Sequence, residues 1–282
     1  MKTIRIQALI IWFGAIISSF PVIADIKMGV FPRRPIAVTN KIFKPLAEKL
    51  SKELGEPVQL IVAKNFKSFW KGVENKQYDL VHYNQYHYLL SHKNYGYKVI
   101  AVNEEFGNGK ISGSLAVRKD SGINSVKDLK GKTILFGGGK KAMGSYIAPT
   151  AILKKAGLVA GNDYKINFSK NPPGAVIGVF NSAAEAAGVG NVILKVKGVQ
   201  KKIDVSQMKI LAKSDPFIQL PWAVKDDMPA DKANKIQSVM TSLKGTNDTL
   251  LKSSRVTNFL KASDKDFTKV REIVKYSIGE SL

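Results

Sequence analysis

The 282-residue chain carries 44 lysines and arginines against 22 aspartates and glutamates, is 44% hydrophobic, and has no cysteine. That length and apolar content suit one large domain or two of about 100–150 residues, so disorder is a poor description. The cysteine count excludes disulfides, thiolate metal sites, a cysteine nucleophile and a cysteine-linked lipid anchor.

The chain starts MKTIRIQALIIWFGAIISSFPVIAD, with Lys2 and Arg5 before an apolar run from Ala8 to Ile17 and small residues ahead of Asp25. We read Met1–Ala24 as a secretory signal peptide cleaved after Ala24; an N-terminal membrane anchor is the alternative. That segment holds two of the 44 basic residues and none of the 22 acidic ones, leaving 42 against 22, a net charge of +20. An exported chain with that charge attracts anions: small solutes, anionic lipid surfaces or polyanions. Nucleic acid, the common partner of a basic intracellular protein, is not expected outside the cytoplasm. Dispersed lysines also describe an ordinary solvated surface.

In chain order, Ile26–Pro32 is a strand ended by a Pro-Arg-Arg-Pro turn. Ala37–Gly55 is a helix with Phe43, Leu46, Ala47, Leu50 and Leu54 on one stripe and Gly55 as its stop. Pro57–Ala63 is a strand, Phe66–Gln77 a helix and Tyr78–Tyr83 a strand, the β-α-β-α-β order of an α/β sheet with helical crossovers. Lys110–Asp120 suggests an extended crossing segment. Beyond it Thr133–Phe136 is a strand, Ser145–Leu158 a helix and Tyr164–Ser169 a strand, while Ala175–Gly190 is a helix running into a small-residue strand. Met208–Phe217 is a strand with its turn. Past Pro221 the pattern turns helical over Asp231–Leu243, Thr246–Lys252 and Asp264–Ser277. The arithmetic gives two α/β lobes of about 100 residues with a cleft between them, the usual place for a small molecule.

The stretch FGGGKKAMGSYIAP, Phe136–Pro149, invites a nucleotide reading. Its spacing fails: a phosphate loop needs Lys and Ser/Thr directly after the last glycine, and here Lys140 is followed by Lys141. What remains is a glycine loop between a strand and a helix, where free amides and the helix dipole favour an anion and Lys140 and Lys141 add charge. A plain glycine turn with exposed lysines is the other reading. His82, His87 and His92 are five apart, which aligns with neither a helix face nor a strand face and argues against zinc. The tyrosine-rich turn after the third strand offers Tyr83, Asn84, Tyr86, His87 and Tyr88 at the strand ends where open α/β sheets bind ligands. Packing at the base of a helix would account for one or two of these tyrosines. Arg33 and Arg34, after the first strand, suit a two-pronged grip on an oxyanion, or a plain surface. No Ser/His/Asp order, paired-carboxylate spacing or HExxH motif supports catalysis, so we expect no enzyme.

The ordered series GVFPRRP, PLAEKLSKELG, YDLVHYNQYHYLL, SGSLAVRKDSGINSVKDLKGKTILFGGG, SYIAPTAILKKAGL and AAEAAGV resembles the periplasmic substrate-binding proteins of phosphate, phosphite and phosphonate ABC importers over essentially the whole mature chain. The resemblance implies a two-lobed periplasmic binding fold of type II, each lobe a mixed sheet flanked by helices, joined by two crossing strands near Asn108–Ala116 and Ala212–Trp222. It implies residues 25–111 in lobe 1, 112–220 in lobe 2 and 221–282 returning to lobe 1. It further implies a ligand delivered to an ABC transporter permease, with no cofactor and no metal.

Many such proteins hold the oxyanion with a Ser-Thr-Ser run; here Lys141, Ala142, Met143, Gly144 and Ser145 stand there, ahead of Tyr146. Pro172-Pro173 replace a His-acidic pair, Glu185 matches an aspartate, Phe66 a tyrosine, and Tyr88 a tyrosine. We expect Lys140 or Lys141 to stand in for the lost hydroxyls. A monomeric capture protein is the leading function, and contact of its basic surface with the membrane is open. The alternatives are a protein presenting its ligand to a membrane-bound histidine kinase, a binder of a different organic anion, an enzyme on the same fold, and a polyanion binder.

Overall fold

The computed structural model describes residues 25–243, Leu251 and 256–282, so the expected signal peptide and most of the expected Thr246–Lys252 helix lie outside the described residues. The first sheet alternates strands with helices: β1 (Ile26–Val30), α1 (Ile36–Leu54), β2 (Val58–Val62), α2 (Phe66–Glu74), β3 (Leu80–His82), α3 (Gln85–Tyr95) and β4 (Lys98–Glu105). Helix α1 buries Thr39, Ile42, Phe43, Leu46, Ala47 and Leu50 at spacings of three and four, and stops at Gly55 with φ 73°. The chain then crosses through β5 (Lys110–Ile111) into β6 (Gly113–Arg118).

The second unit holds β7 (Thr133–Gly137), a π-helical turn (Met143–Ile147) leading straight into α4 (Ala148–Lys155), β8 (Lys165–Ser169), α5 (Pro172–Phe180), β9 (Ala186–Gly190), α6 (Lys197–Gln200) and β10 (Met208–Lys213). The return runs through β11 (Phe217–Ile218), β12 (Pro221–Val224), α7 (Ala230–Ser242), β13 (Val256–Lys261) and α8 (Thr268–Ile278). Past Pro221 the chain is therefore not wholly helical: β12 and β13 complete the first sheet, whose order is β13-β4-β12-β3-β1-β2.

The first sheet has six strands and the second, β10-β6-β9-β7-β8, has five. In both, the strands followed by helices run parallel: β1 beside β2 and β3, and β7 beside β8 and β9. Strands β5 and β11 form a separate antiparallel ribbon, Phe217 opposite Ile111, and carry the chain out and back. This is the two-lobed mixed α/β architecture of type II periplasmic binding proteins.

One hydrophobic core runs from Leu50 and Trp222 in the first lobe through Phe267 to Leu153 and Phe136 in the second, and another (Val176, Val179, Val189, Val199) lies on the α5 face of the second sheet. Helix α8 packs on α3, α4 and β11, so the C-terminal helix touches both lobes and the ribbon between them. Strand β9 is Ala-Ala-Gly-Val-Gly because elements cover both its faces. A methyl group on Gly188 would meet the Phe136 ring, and would lie 2.8 Å from the Ser145 carbonyl oxygen. The absent side chain lets the π-turn rest directly on the sheet.

Candidate functional site in the interlobe cleft

Parallel strands in each lobe deliver their carboxyl ends, and the loops after them, to one edge, the edge where α/β sheets bind ligands. Three of the helices that follow are closed in the same way. Asn65 accepts the Ser68 amide at 2.9 Å, Asn84 the His87 amide at 2.9 Å, and Asn171 the Gly174 amide at 2.9 Å. Each asparagine satisfies an amide that the helix leaves unpaired.

The loop after β7 breaks this pattern. Ala142 precedes the π-turn with no side-chain cap. The amides at its start, at Met143, Gly144 and Ser145, make no backbone bond to an earlier carbonyl, which leaves partial positive charge at that end of the turn. Gly138 takes φ 127°, reachable without strain only by glycine. A methyl group on Gly139 or Gly144 would find nothing within 4 Å, so open space borders the loop. Lys140 and Lys141 are exposed and Ser145 is buried to 7%. The arrangement offers amides, one hydroxyl and two ammonium groups to an anion.

The two lobes meet here. The Asn84 Nδ2 donates to the Lys141 carbonyl oxygen at 3.2 Å, and the Gln85 Nε2 donates to the carbonyl of Ile218, in the connecting ribbon, at 2.8 Å. His87, one turn into α3, is 7% exposed. Burial, with Lys141 across the gap adding to it, lowers its pKa to about 3, so the imidazole is neutral. Phe66 stacks on it at 6.1 Å and Trp70 leans on it at 5.2 Å.

Several residues expected at the ligand are placed elsewhere. The segment after β3 is a helix from Gln85 onward rather than a turn, and successive side chains of a helix point about 100° apart. Asn84 and His87 therefore share the cleft side while their neighbours turn inward. Tyr83 is fully buried with its hydroxyl 2.6 Å from Ser91 Oγ. Tyr88 is also fully buried, bonds Asp264 at 2.8 Å and packs on Phe267. Both are core residues, which corrects the expectation for them.

The Tyr86 hydroxyl donates to Glu280 at 2.7 Å, tying down the C-terminal tail. Glu185 accepts the Thr133 amide at 2.8 Å. Thr133 begins β7, so Glu185 sits at the amino ends of the strands, opposite the cleft, and the matched-aspartate expectation is corrected too. Arg33 is drawn sideways into an ion pair with Glu105 at 3.1 Å, over the Phe31 ring. Half-buried Arg34 contributes positive charge at His82. Tyr146 packs on Phe136 and Phe168 within the second lobe.

The histidines have three different surroundings. His82 is fully buried, stacked on Trp222 at 4.3 Å, and its Nδ1 donates to the Pro221 carbonyl at 2.9 Å, since a carbonyl can only accept. Burial, with help from Arg33, holds its pKa well below the ordinary value. His92 bonds the Tyr97 carbonyl at the far end of α3. Sequence reasoning missed the aromatic surface of Phe31, Phe66 and Trp70 and the capping asparagines; an asparagine two or three residues after the second, third and eighth strands was the available signal. A separate groove of about 450 Å³ between α4, α8 and the end of β10, lined by Ile152, Lys213, Lys269 and Tyr276, touches none of these loops.

Comparison with known proteins identifies the family and the fold. Residues 28–267 match the family described as the periplasmic substrate-binding protein of phosphonate ABC transporters. The phosphate-import protein PhnD of Mycolicibacterium smegmatis is 22% identical over 227 residues, 76% of this chain and 70% of that protein. PhnD1 of Prochlorococcus marinus, solved with methylphosphonate, superposes with a TM-score of 0.76 at 19% identity, covering 91% of this chain and 99% of that one. A Xanthomonas citri protein solved with ATP superposes with a TM-score of 0.75 at 14% identity, covering 90% and 96%. The proteins of this family are the binding components of transporters: they take up a small ligand in the periplasm and work with a membrane permease. The chain belongs to the family of periplasmic substrate-binding proteins of phosphonate ABC transporters.

Proposed function

We propose that this chain captures a small phosphorus oxyanion, of the phosphate, phosphite or phosphonate class, between its lobes and hands it to an ABC importer. The observation that carries the reading is the uncapped, glycine-bordered amino end of the Met143–Ile147 turn, where the other cleft helices α2, α3 and α5 are closed by asparagine. Lys140, Lys141 and Ser145 complete the anion's surroundings, with Asn84 and His87 opposite. The phosphate-import role of the M. smegmatis relative and the methylphosphonate in the P. marinus structure support this ligand class.

In this reading residues 25–111 and 221–282 form one lobe and 112–220 the other, and the β5/β11 ribbon is the hinge about which they close. The protein is exported by cleavage after Ala24, acts as a monomer, and its +20 charge favours approach to the anionic membrane where the permease sits.

Thermal melts of the exported chain with phosphate, phosphite, methylphosphonate and sulfate test the reading. A true ligand raises Tm progressively as its concentration climbs above its Kd. The Lys140→Ala/Lys141→Ala double variant should weaken binding about 10-fold or more, since each ammonium near an anion at the surface contributes about 1 kcal/mol. Unchanged affinity in that variant removes the lysines from the site, and no shift with any oxyanion refutes the ligand class.

A further inference from the structure

The first lobe's side of the cleft is aromatic. Phe66 begins α2 at the carboxyl end of β2 with 45% of its surface exposed. Phe31 meets it edge-on at 6.3 Å, His87 stacks on it at 6.1 Å with 23° between the planes, and Trp70 lies 5.2 Å from His87 on the other side. Four rings thus make one continuous surface, anchored below and open above at Phe66. The second lobe faces it with Lys141, close enough to act electrostatically on His87. A bare inorganic oxyanion uses the amides and ammonium groups of the lysine loop and has no use for an exposed phenyl ring. His87 adds a second observation: its Nδ1 is buried without a hydrogen-bond partner among the described residues. Such an atom is the exception in folded proteins, and a polar group on a bound molecule would supply the missing bond.

We propose that the ligand is a phosphorus oxyanion bearing a planar aromatic group, whose oxyanion binds at the Met143–Ile147 turn while its ring stacks on Phe66. This deepens the oxyanion reading and rests on it. An aryl phosphonate and a nucleoside phosphate share this chemistry. Every planar ring has a face to stack, and one aromatic partner strengthens binding about 10-fold.

The exported chain has two tryptophans, Trp70 in the aromatic surface and Trp222 fully buried, so emission changes on ligand addition report on Trp70. Fluorescence titration and calorimetry with phosphate, methylphosphonate, phenylphosphonate and AMP are the test. Phenylphosphonate or AMP is expected to bind about 10-fold more tightly than methylphosphonate and to change Trp70 emission. Phe66→Ala should narrow that gap and Phe66→Trp should keep it. Tighter binding of AMP assigns the nucleoside phosphate, and tighter binding of phenylphosphonate the aryl phosphonate. Equal or tighter binding of methylphosphonate overturns the aromatic proposal and leaves the oxyanion reading standing. An aromatic preference that survives Phe66→Ala in full also overturns it. Failure of all four probes refutes the underlying reading as well.

Discussion

Asn84 gives its Nδ2 to the Lys141 carbonyl at 3.2 Å while its Oδ1 takes the His87 amide at 2.9 Å. One side chain therefore caps α3 in the first lobe and grips the lysine loop of the second. The two roles use different atoms, so substitution separates them. Asn84→Ser keeps a capping oxygen and loses the long amide arm. Its stability should stay within about 0.5 kcal/mol of the parent, while the contact between the lobes gives up a bond worth about 1 kcal/mol and ligand affinity falls about 5-fold. Asn84→Ala loses both, costing about 1 kcal/mol of stability as well. Melting curves paired with calorimetry check this; undiminished affinity in the serine variant would remove the bridge between lobes from the binding equilibrium.

Arg33 illustrates a charge turned away from the ligand. Its Nη2 pairs with Glu105 Oε1 at 3.1 Å, Asn103 Nδ2 reaches the same oxygen at 3.4 Å, and the Trp222 indole donates to Asn103 at 2.9 Å. The Glu105 side chain is 4% exposed and that of Arg33 27%. Removing the arginine leaves a carboxylate out of water without its cationic partner, although Asn103 still reaches it, whereas removing the carboxylate's charge leaves a guanidinium with solvent within reach. Arg33→Ala should cost about 2–3 kcal/mol, below the cost of breaking a pair buried at both ends. Glu105→Gln should cost about 1 kcal/mol. Urea denaturation reads both, and the reverse order would show that the pair is not held by the buried carboxylate.

The parts that sequence reasoning recovered are those whose pattern is local. Strands β1, β2 and β3 alternate with the amphipathic stripe of α1 and with α2, and Gly55 stops α1 where a left-handed residue is needed. Helix α3 escaped because it has no stripe to detect: Gln85, Tyr86, His87, Tyr88 and Leu89 are all buried, so packing surrounds its first turns and periodicity is silent. Strand β4 escaped for the same reason: Val99–Asn103 is buried without alternation, so both faces are covered and the period of two is silent. The family resemblance brought the lysine loop to the cleft. It could not say which tyrosines turn inward, since the Asp264 that receives Tyr88 lies 176 residues further along the chain. The departure at Phe66 was visible as a lost hydroxyl; that it joins His87 and Trp70 in one surface depends on how α2 packs on α3.

Glycines around the lysine loop divide into those that sheet packing requires and those that border open space. A methyl group on Gly188 would collide with Phe136 and lie 2.8 Å from the Ser145 carbonyl. Gly188→Ala should therefore cost about 1–3 kcal/mol, as overpacked cores do, and push the π-turn off β9. A methyl group on Gly139 meets nothing within 4 Å. Gly139→Ala should melt at the parent's temperature and bind less well, because the added carbon occupies space the ligand would use. Thermal melts with and without ligand separate the two, and a Gly139 variant that binds normally would place the ligand away from this loop.

The two buried histidines make stability depend on pH in a stated direction. Burial keeps His82 and His87 neutral, with Arg33 adding at the first and Lys141 at the second, whose pKa falls to about 3. Once unfolded, each returns to about 6.5 and takes up a proton more readily than the folded protein does. Between those values the unfolded state binds more protons, so stability is full above about pH 6.5 and declines as pH falls, by up to about 1.4 kcal/mol per unit for each histidine. Ordinary carboxylates titrate at about 4, below this window, so from pH 6.5 to 5 these two histidines dominate the slope. Melts across that window should show a steady fall in Tm, and His87→Gln should make the fall shallower by about half. An unchanged slope in that variant would mean that His87 already exchanges protons with solvent in the folded protein, and so is not held neutral beneath Phe66 and Trp70.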